Sequence, residues 1–314
     1  MTEQQDHIPD LPDQVHEEAA HLSFVDRHHI HPLLFGLGAL GFVFLLYQIG
    51  GGVLTFLALG ARTITHENIS LVRLLTAVGQ LGFILVPTLI LARMFSSQMS
   101  EVFQFRIPGW RESTLALIGL FSLQRMMEAY MYFQDRVPLP QHLREILEPL
   151  KKLFEELTRE LVRANSPLEL LGVLLVVAVI PSIVEEFLFR GLIQKVFDRI
   201  MSPLVSAVFV GTVFGLYHMN PIEIVPLAGL GVFFAILRYR SQTLWLPIIA
   251  HFFNNFMAVL ASYYGMENEN LLEASQTGAG MPMMLFELVM FSALFFVVFV
   301  GYLRLTHESS LRNP

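Results

Sequence analysis

Three clusters of polar residues interrupt segments that otherwise read as lipid-soluble, and their types are those of hydrolytic chemistry. In "LELLGVLLVVAVIPSIVEEFLFRGLIQKVF", residues 168 to 197, Glu185, Glu186 and Arg190 sit in a run of Leu, Val, Ile and Phe. An ionised side chain at the centre of a spanning helix costs roughly 2.5–3.5 kcal/mol, whereas each Leu, Ile, Phe or Val returns about 0.3–0.6 kcal/mol. The three charges cancel most of the segment's gain, so the folded protein has to compensate them. Helical spacing supplies part of the answer: Glu186 and Arg190, four residues apart, share a face and pair, which lowers the net charge taken into the bundle. Glu185 points about a quarter-turn away. A carboxylate in apolar surroundings is the group from which enzymes make a general base that works near neutral pH. Pro181, four residues before Glu185, removes a backbone hydrogen bond where polar groups and water need access.

Two further segments carry polar pairs at helical spacing. "FGLYHMNP" puts Phe214 and His218 one turn apart, and "SQTLWLPIIAHFFNNF" puts His251 and Asn255 on one face, with Pro247 four residues before His251. Arg125 and Glu128 form the other intramembrane pair. A lone histidine at a helix end is more often hydrogen-bonded structure than catalyst. Two histidines, an amide and a glutamate pair on three polar spans all need partners away from lipid, and one shared, partly hydrated interior site serves them together. The chain has no cysteine, so thiolate catalysis and Cys-ligated zinc are excluded. No serine with a neighbouring histidine suggests a covalent triad, which leaves water as the nucleophile. Water is activated either directly by a glutamate, with no cofactor, or by a zinc ion held by two histidines and a glutamate. The spacing HExxH is absent, and direct glutamate catalysis is the preferred reading.

These residues must be held by membrane helices. Of 314 residues, 54% are hydrophobic and 15% charged, with a mean hydropathy of +0.56. That balance indicates an all-α, polytopic helical bundle in the cell membrane. The net charge of -7 and the scattered basic residues give no nucleic-acid patch. Apolar runs near the ~20-residue spanning length predict about eight transmembrane helices, at 33–59, 72–95, 113–133, 168–197, 203–219, 222–240, 243–263 and 282–304. Residues 1–32 read as a polar, acidic tail holding six of the eleven histidines (His7, His16, His21, His28, His29, His31), solvated and without a defined metal-binding spacing or a cleavable signal. The N-terminal spans occupy 33–137. An insert at 138–167 has helical apolar spacing against Glu, Lys and Arg, and reads as amphipathic helix that lies in the interface or covers the bundle. The polar motifs fall within 168–262, and 263–314 holds a last span and a tail.

The three motifs together resemble the CPBP (Abi) family of intramembrane proteases, which includes the CAAX prenyl endopeptidases and bacteriocin-processing relatives. "EEFLFR" fits EExxxR at Glu185, Glu186 and Arg190; "FGLYH" fits FxxxH at Phe214 and His218; "HFFNN" fits HxxxN at His251 and Asn255. The resemblance covers about 168 to 262 and implies an all-helical endopeptidase acting at the membrane on a peptide or protein substrate, lipidated substrates included. It implies that Glu185 is the general base, assisted by His218. His251 and Asn255 stabilise the oxyanion, and Arg190 holds Glu186. Two other classes compete. In a non-catalytic protein of bacteriocin-immunity or peptide-binding type the motifs form a buried polar lock, and a proton-coupled transporter also needs intramembrane carboxylates.

Overall fold

The computed structural model describes residues 22–60, 64–65, 67–265 and 280–312. The tail's His7, His16 and His21 lie outside the described residues. Among those described, the chain is an all-α bundle without strands, built from nine long helices: α1 (Pro32–Leu59), α2 (Ile69–Phe95), α3 (Trp110–Gln134), α4 (Gln141–Val162), α5 (Pro167–Phe197), α6 (Pro203–Tyr217), α7 (Ile224–Ser241), α8 (Trp245–Tyr263) and α9 (Gly280–Arg312).

Each predicted span is a helix here, and six are long and apolar enough to cross a membrane: α1, α2, α5, α7, α8 and α9. The other two differ for distinct reasons. Helix α6 has 15 residues, about 22 Å of rise against a hydrocarbon core of about 30 Å. Helix α3 has 25 residues but carries Arg111, Glu112, Arg125 and Glu128. The chain is a multi-pass membrane protein.

Local sequence sets the helix starts. Pro32, Pro167 and Pro203 occupy first-turn positions, where their missing N–H costs nothing. Ser166 caps α5 by accepting from the Glu169 amide. Before α1, the short helix Phe24–Arg27 is capped by Ser23 and buries Val25 in the core, so this part of the polar N-terminal segment is packed onto the bundle.

Two large apolar cores and two small ones form among the described residues. One large core joins α1, α2, α5 and α6 through residues such as Val43, Ile84, Leu192 and Phe214. The other large core joins α3, α7, α8 and α9 through Leu120, Phe234, Ala250 and Tyr302. Helices α6 and α7 meet backbone to backbone: a Cβ on Gly211 would stand 2.3 Å from the Val232 nitrogen, and one on Gly231 would stand 2.6 Å from the Gly211 carbonyl oxygen. Small residues at such crossings let helices approach closely in lipid. Wide π-type turns interrupt α1 at Leu46–Gly50, α2 at Gln80–Leu85 and α5 at Leu174–Val179 and Phe187–Ile193.

Candidate active site

Arg190 and Glu186 lie at the seam between the two large cores, and neither is exposed to solvent. The Arg190 Nη1 donates to Glu186 Oε1 at 2.9 Å, the i,i+4 pair that the spacing predicts. Its Nη2 donates to the Gly231 carbonyl at 2.8 Å. One turn on, Gln194 Nε2 donates to the Ala235 carbonyl at 3.0 Å, so α5 is tied twice to α7. The guanidinium also lies 4.5 Å from the centre of the Phe214 ring, a cation–π contact that a desolvated Arg gains most from.

His251 completes this cluster. Its Nδ1 is 2.9 Å from the same Glu186 Oε1. A carboxylate accepts, so Nδ1 carries a proton towards Glu186, and Nε2 is the nitrogen that faces Glu185. The ring stacks on Phe234 with centroids 5.2 Å apart and meets the edge of Phe214 at 5.8 Å. Phe214 therefore packs against Arg190, His251 and also His218, whose ring centre is 4.8 Å away. That accounts for an aromatic residue one turn before His218.

Glu185 has a different environment from Glu186. Its Oε2 has no hydrogen-bond partner among the described residues, and the nearest basic atom, His251 Nε2, is 4.0 Å away. That gap is too long for a direct hydrogen bond. His218, at the C-terminal end of α6, uses its Nδ1 on the Phe214 carbonyl at 2.8 Å, which leaves Nε2 as its free nitrogen.

Asn255 repairs a helix break. Pro181 offers no N–H to the carbonyl four residues earlier, that of Val177, and Asn255 Nδ2 donates to this carbonyl at 3.1 Å. One of its two amide hydrogens is used in this way. Its Oδ1 accepts from Asn254 Nδ2 at 3.1 Å, and Asn254 Oδ1 accepts from Gln124 Nε2 at 3.0 Å. A chain of amides thus runs from α8 to α3.

Glu185, His218, His251 and Asn255 line one cavity of about 510 Å³. Glu186 and Arg190 lie behind its wall. All four wide turns border it, through Tyr47, Gln80, Val177 and Phe189, and such turns recur at functional sites. Helix α4, the amphipathic insert, covers one side with Phe154, Leu157 and Leu161. Arg73 fastens the end of α4: its Nε donates to the Leu161 carbonyl at 2.9 Å, its Nη2 to those of Glu160 and Arg163, and its Nη1 to Glu169 on α5.

The motifs do not include Tyr47, Gln80, Asn254 or Gln124, which the fold adds to the cavity or to the amide chain joined to it. A lone amide in an apolar span is the signal that marks Gln80. Asn254 is visible as the first residue of the "NN" pair. Among the described residues no three His, Asp or Glu side chains stand together as a metal site. The Nδ1 bonds of His251 and His218 leave Nε2 free on both rings, and bonds of this kind also orient metal-ligating imidazoles.

Residues 167–257 match the family described as type II CAAX prenyl endopeptidase Rce1-like. This segment is similar to the CPBP-family core. The Rce1-like segment runs from the start of α5 into α8 and holds all seven motif residues. It spans less than a third of the chain and leaves out α1–α4 and α9. Comparison with curated proteins and with solved structures finds no match. In outline, the family is one of membrane endopeptidases, of the CAAX-protease type.

Proposed function

We propose that this protein hydrolyses a peptide bond at the membrane, with Glu185 as the base that activates water. One observation carries the reading: side chains from α5, α8 and the end of α6 converge on one cavity, and in it a buried carboxylate oxygen of Glu185 has no partner among the described residues. An acceptor left free in an apolar protein is costly, about 1–3 kcal/mol, and a water that donates to it removes that cost. The 4.0 Å between Glu185 Oε2 and His251 Nε2 suits two acceptors sharing one water, each within about 2.8 Å of it. Glu185 takes a proton from that water as its oxygen attacks the substrate carbonyl, and then returns the proton to the leaving amine. Glu186 fixes the His251 tautomer and orientation, much as a buried carboxylate does for the histidine of a hydrolytic triad. On this reading His251 is a second acceptor for the attacking water before it is a donor. The unused amide hydrogen of Asn255 is available to the oxyanion, and His218 Nε2 is available for proton exchange.

The matched family's description supports, as the proposed substrate class, a protein or peptide with a prenylated C-terminal CAAX segment. The purified protein in liposomes should release a C-terminal fragment from a quenched, farnesylated CAAX peptide, identified by mass spectrometry. On the metal-free reading, turnover should persist after chelator treatment and verified metal removal. Loss of activity on chelation with recovery on added zinc would reject direct glutamate catalysis. A folded protein that cuts neither farnesylated nor unmodified peptides would reject the endopeptidase reading.

A further inference from the structure

Gln80 sits in α2, outside the Rce1-like segment, among Leu, Val, Gly, Phe and Ile. Its side chain lines the 510 Å³ cavity and is 8% exposed. Its amide is hydrogen-bonded to Tyr47, and its Oε1 is buried with no hydrogen-bond partner among the described residues. A leucine would fill the position without that orphaned oxygen, whose desolvation costs about 1–3 kcal/mol. The residue opens the wide turn Gln80–Leu85. Tyr47, from the wide turn of α1, also lines the cavity, and its ring lies 3.6 Å from where a Cβ on Gly79 would be. The N-terminal helices thus contribute a polar wall facing the same space as Glu185, His218, His251 and Asn255.

An amide is neither acid nor base near neutral pH, so Gln80 acts by position. Its acceptor and donor lie in one plane, the complement of a peptide N–H and C=O. The torsion that carries the amide is broad, so either atom turns towards the cavity at small cost. We propose that Gln80 is a substrate-positioning residue, its amide pairing with a main-chain peptide group of the bound substrate and holding the chain across Glu185. The inference rests on the endopeptidase reading of the cavity. Such pairing is indifferent to substrate side chains, and it converts the cost of the unpartnered oxygen into a preference for the occupied site.

The test is a binding cycle on Glu185→Gln protein in detergent, read by fluorescence anisotropy of a labelled, farnesylated CAAX peptide. In a series of probes, one peptide linkage at a time is replaced by an ester, which removes an N–H without adding bulk. Gln80→Leu should weaken binding about tenfold, the worth of one well-formed hydrogen bond, while thermal stability holds or rises. At one linkage the ester penalty should vanish in Gln80→Leu, a non-additive cycle that marks direct pairing. If Gln80→Leu does not fold, Gln80→Met is used in its place. Unchanged affinity, or ester penalties that add at every linkage, would overturn the assignment. Hydrolysis of the same peptide by the parent protein reads the endopeptidase proposal separately. Coupling without hydrolysis keeps Gln80 as a docking group and removes the enzyme; hydrolysis without coupling does the reverse; no binding at all rejects both.

Discussion

Two charged clusters lie inside this bundle, and they are built differently. In the α3–α9 cluster, Arg125 pairs with both Glu128 and Glu287. It borders a cavity of about 690 Å³ between α3, α7 and α8 that is larger than the motif cavity. The side chains of Arg125 and Glu128 are 28% and 57% exposed, and each of the three charges has an opposite partner. In the α5–α8 cluster, Glu186, Arg190 and His251 also pair with one another, at 5% exposure or less; among the described residues, Glu186 Oε2 and Arg190 Nε stay unpartnered behind the wall, whereas the unpartnered oxygen of Glu185 belongs to a residue that lines the cavity. Cavity size and buried charge therefore do not separate a structural cluster from a chemical one. The distinguishing feature is a reactive group that the fold holds unpaired beside space for a substrate.

The comparison breaks first at Arg190. Removing one partner of a fully buried pair leaves the other charge uncompensated, so Arg190→Ala should cost about 3–5 kcal/mol of stability, visible as a large fall in thermal midpoint. It should also loosen His251, since both depend on Glu186 Oε1. A midpoint shift no larger than that of a surface arginine would mean that the cluster is not the bundle's keystone. Arg125→Ala sharpens the contrast from the other side. Its partly exposed pairs should be worth about 1 kcal/mol or less after solvent screening, and peptide cleavage should stay within about twofold of the parent. A loss of turnover as large as that expected at Glu185 would make the two clusters equivalent and remove the distinction.

Much of this was legible in the chain. Runs of apolar residues announced every long helix except α4, which its amphipathic spacing marked, because backbone satisfaction in lipid leaves few alternatives. The i,i+4 spacing announced the Glu186–Arg190 pair, and Pro181 marked the broken hydrogen bond whose freed carbonyl Asn255 takes up. What the chain did not disclose depends on how helices rotate against each other. Both glutamates are equally visible in "EEFLFR", yet which one Arg190 and His251 consume is decided by the approach of α7 and α8 to α5. Gln80 and Tyr47 come from helices without a motif, and only tertiary packing brings them to the cavity. The amphipathic spacing of 138–167 left interface and cover as alternatives. The tie that fastens the insert's end comes from Arg73, 88 residues before the Leu161 carbonyl it holds, and no local pattern marks that partner.

The most direct test of the account is the hydrolysis rate of a quenched, farnesylated CAAX peptide by Glu185→Gln and Glu186→Gln proteins, each normalised to its folded fraction. The account predicts that Glu185→Gln loses about 10²–10⁴-fold in turnover with its thermal midpoint nearly unchanged, whereas Glu186→Gln loses stability and retains more of its turnover per folded molecule. Full turnover in Glu185→Gln, or the same stability loss in both variants, would contradict it.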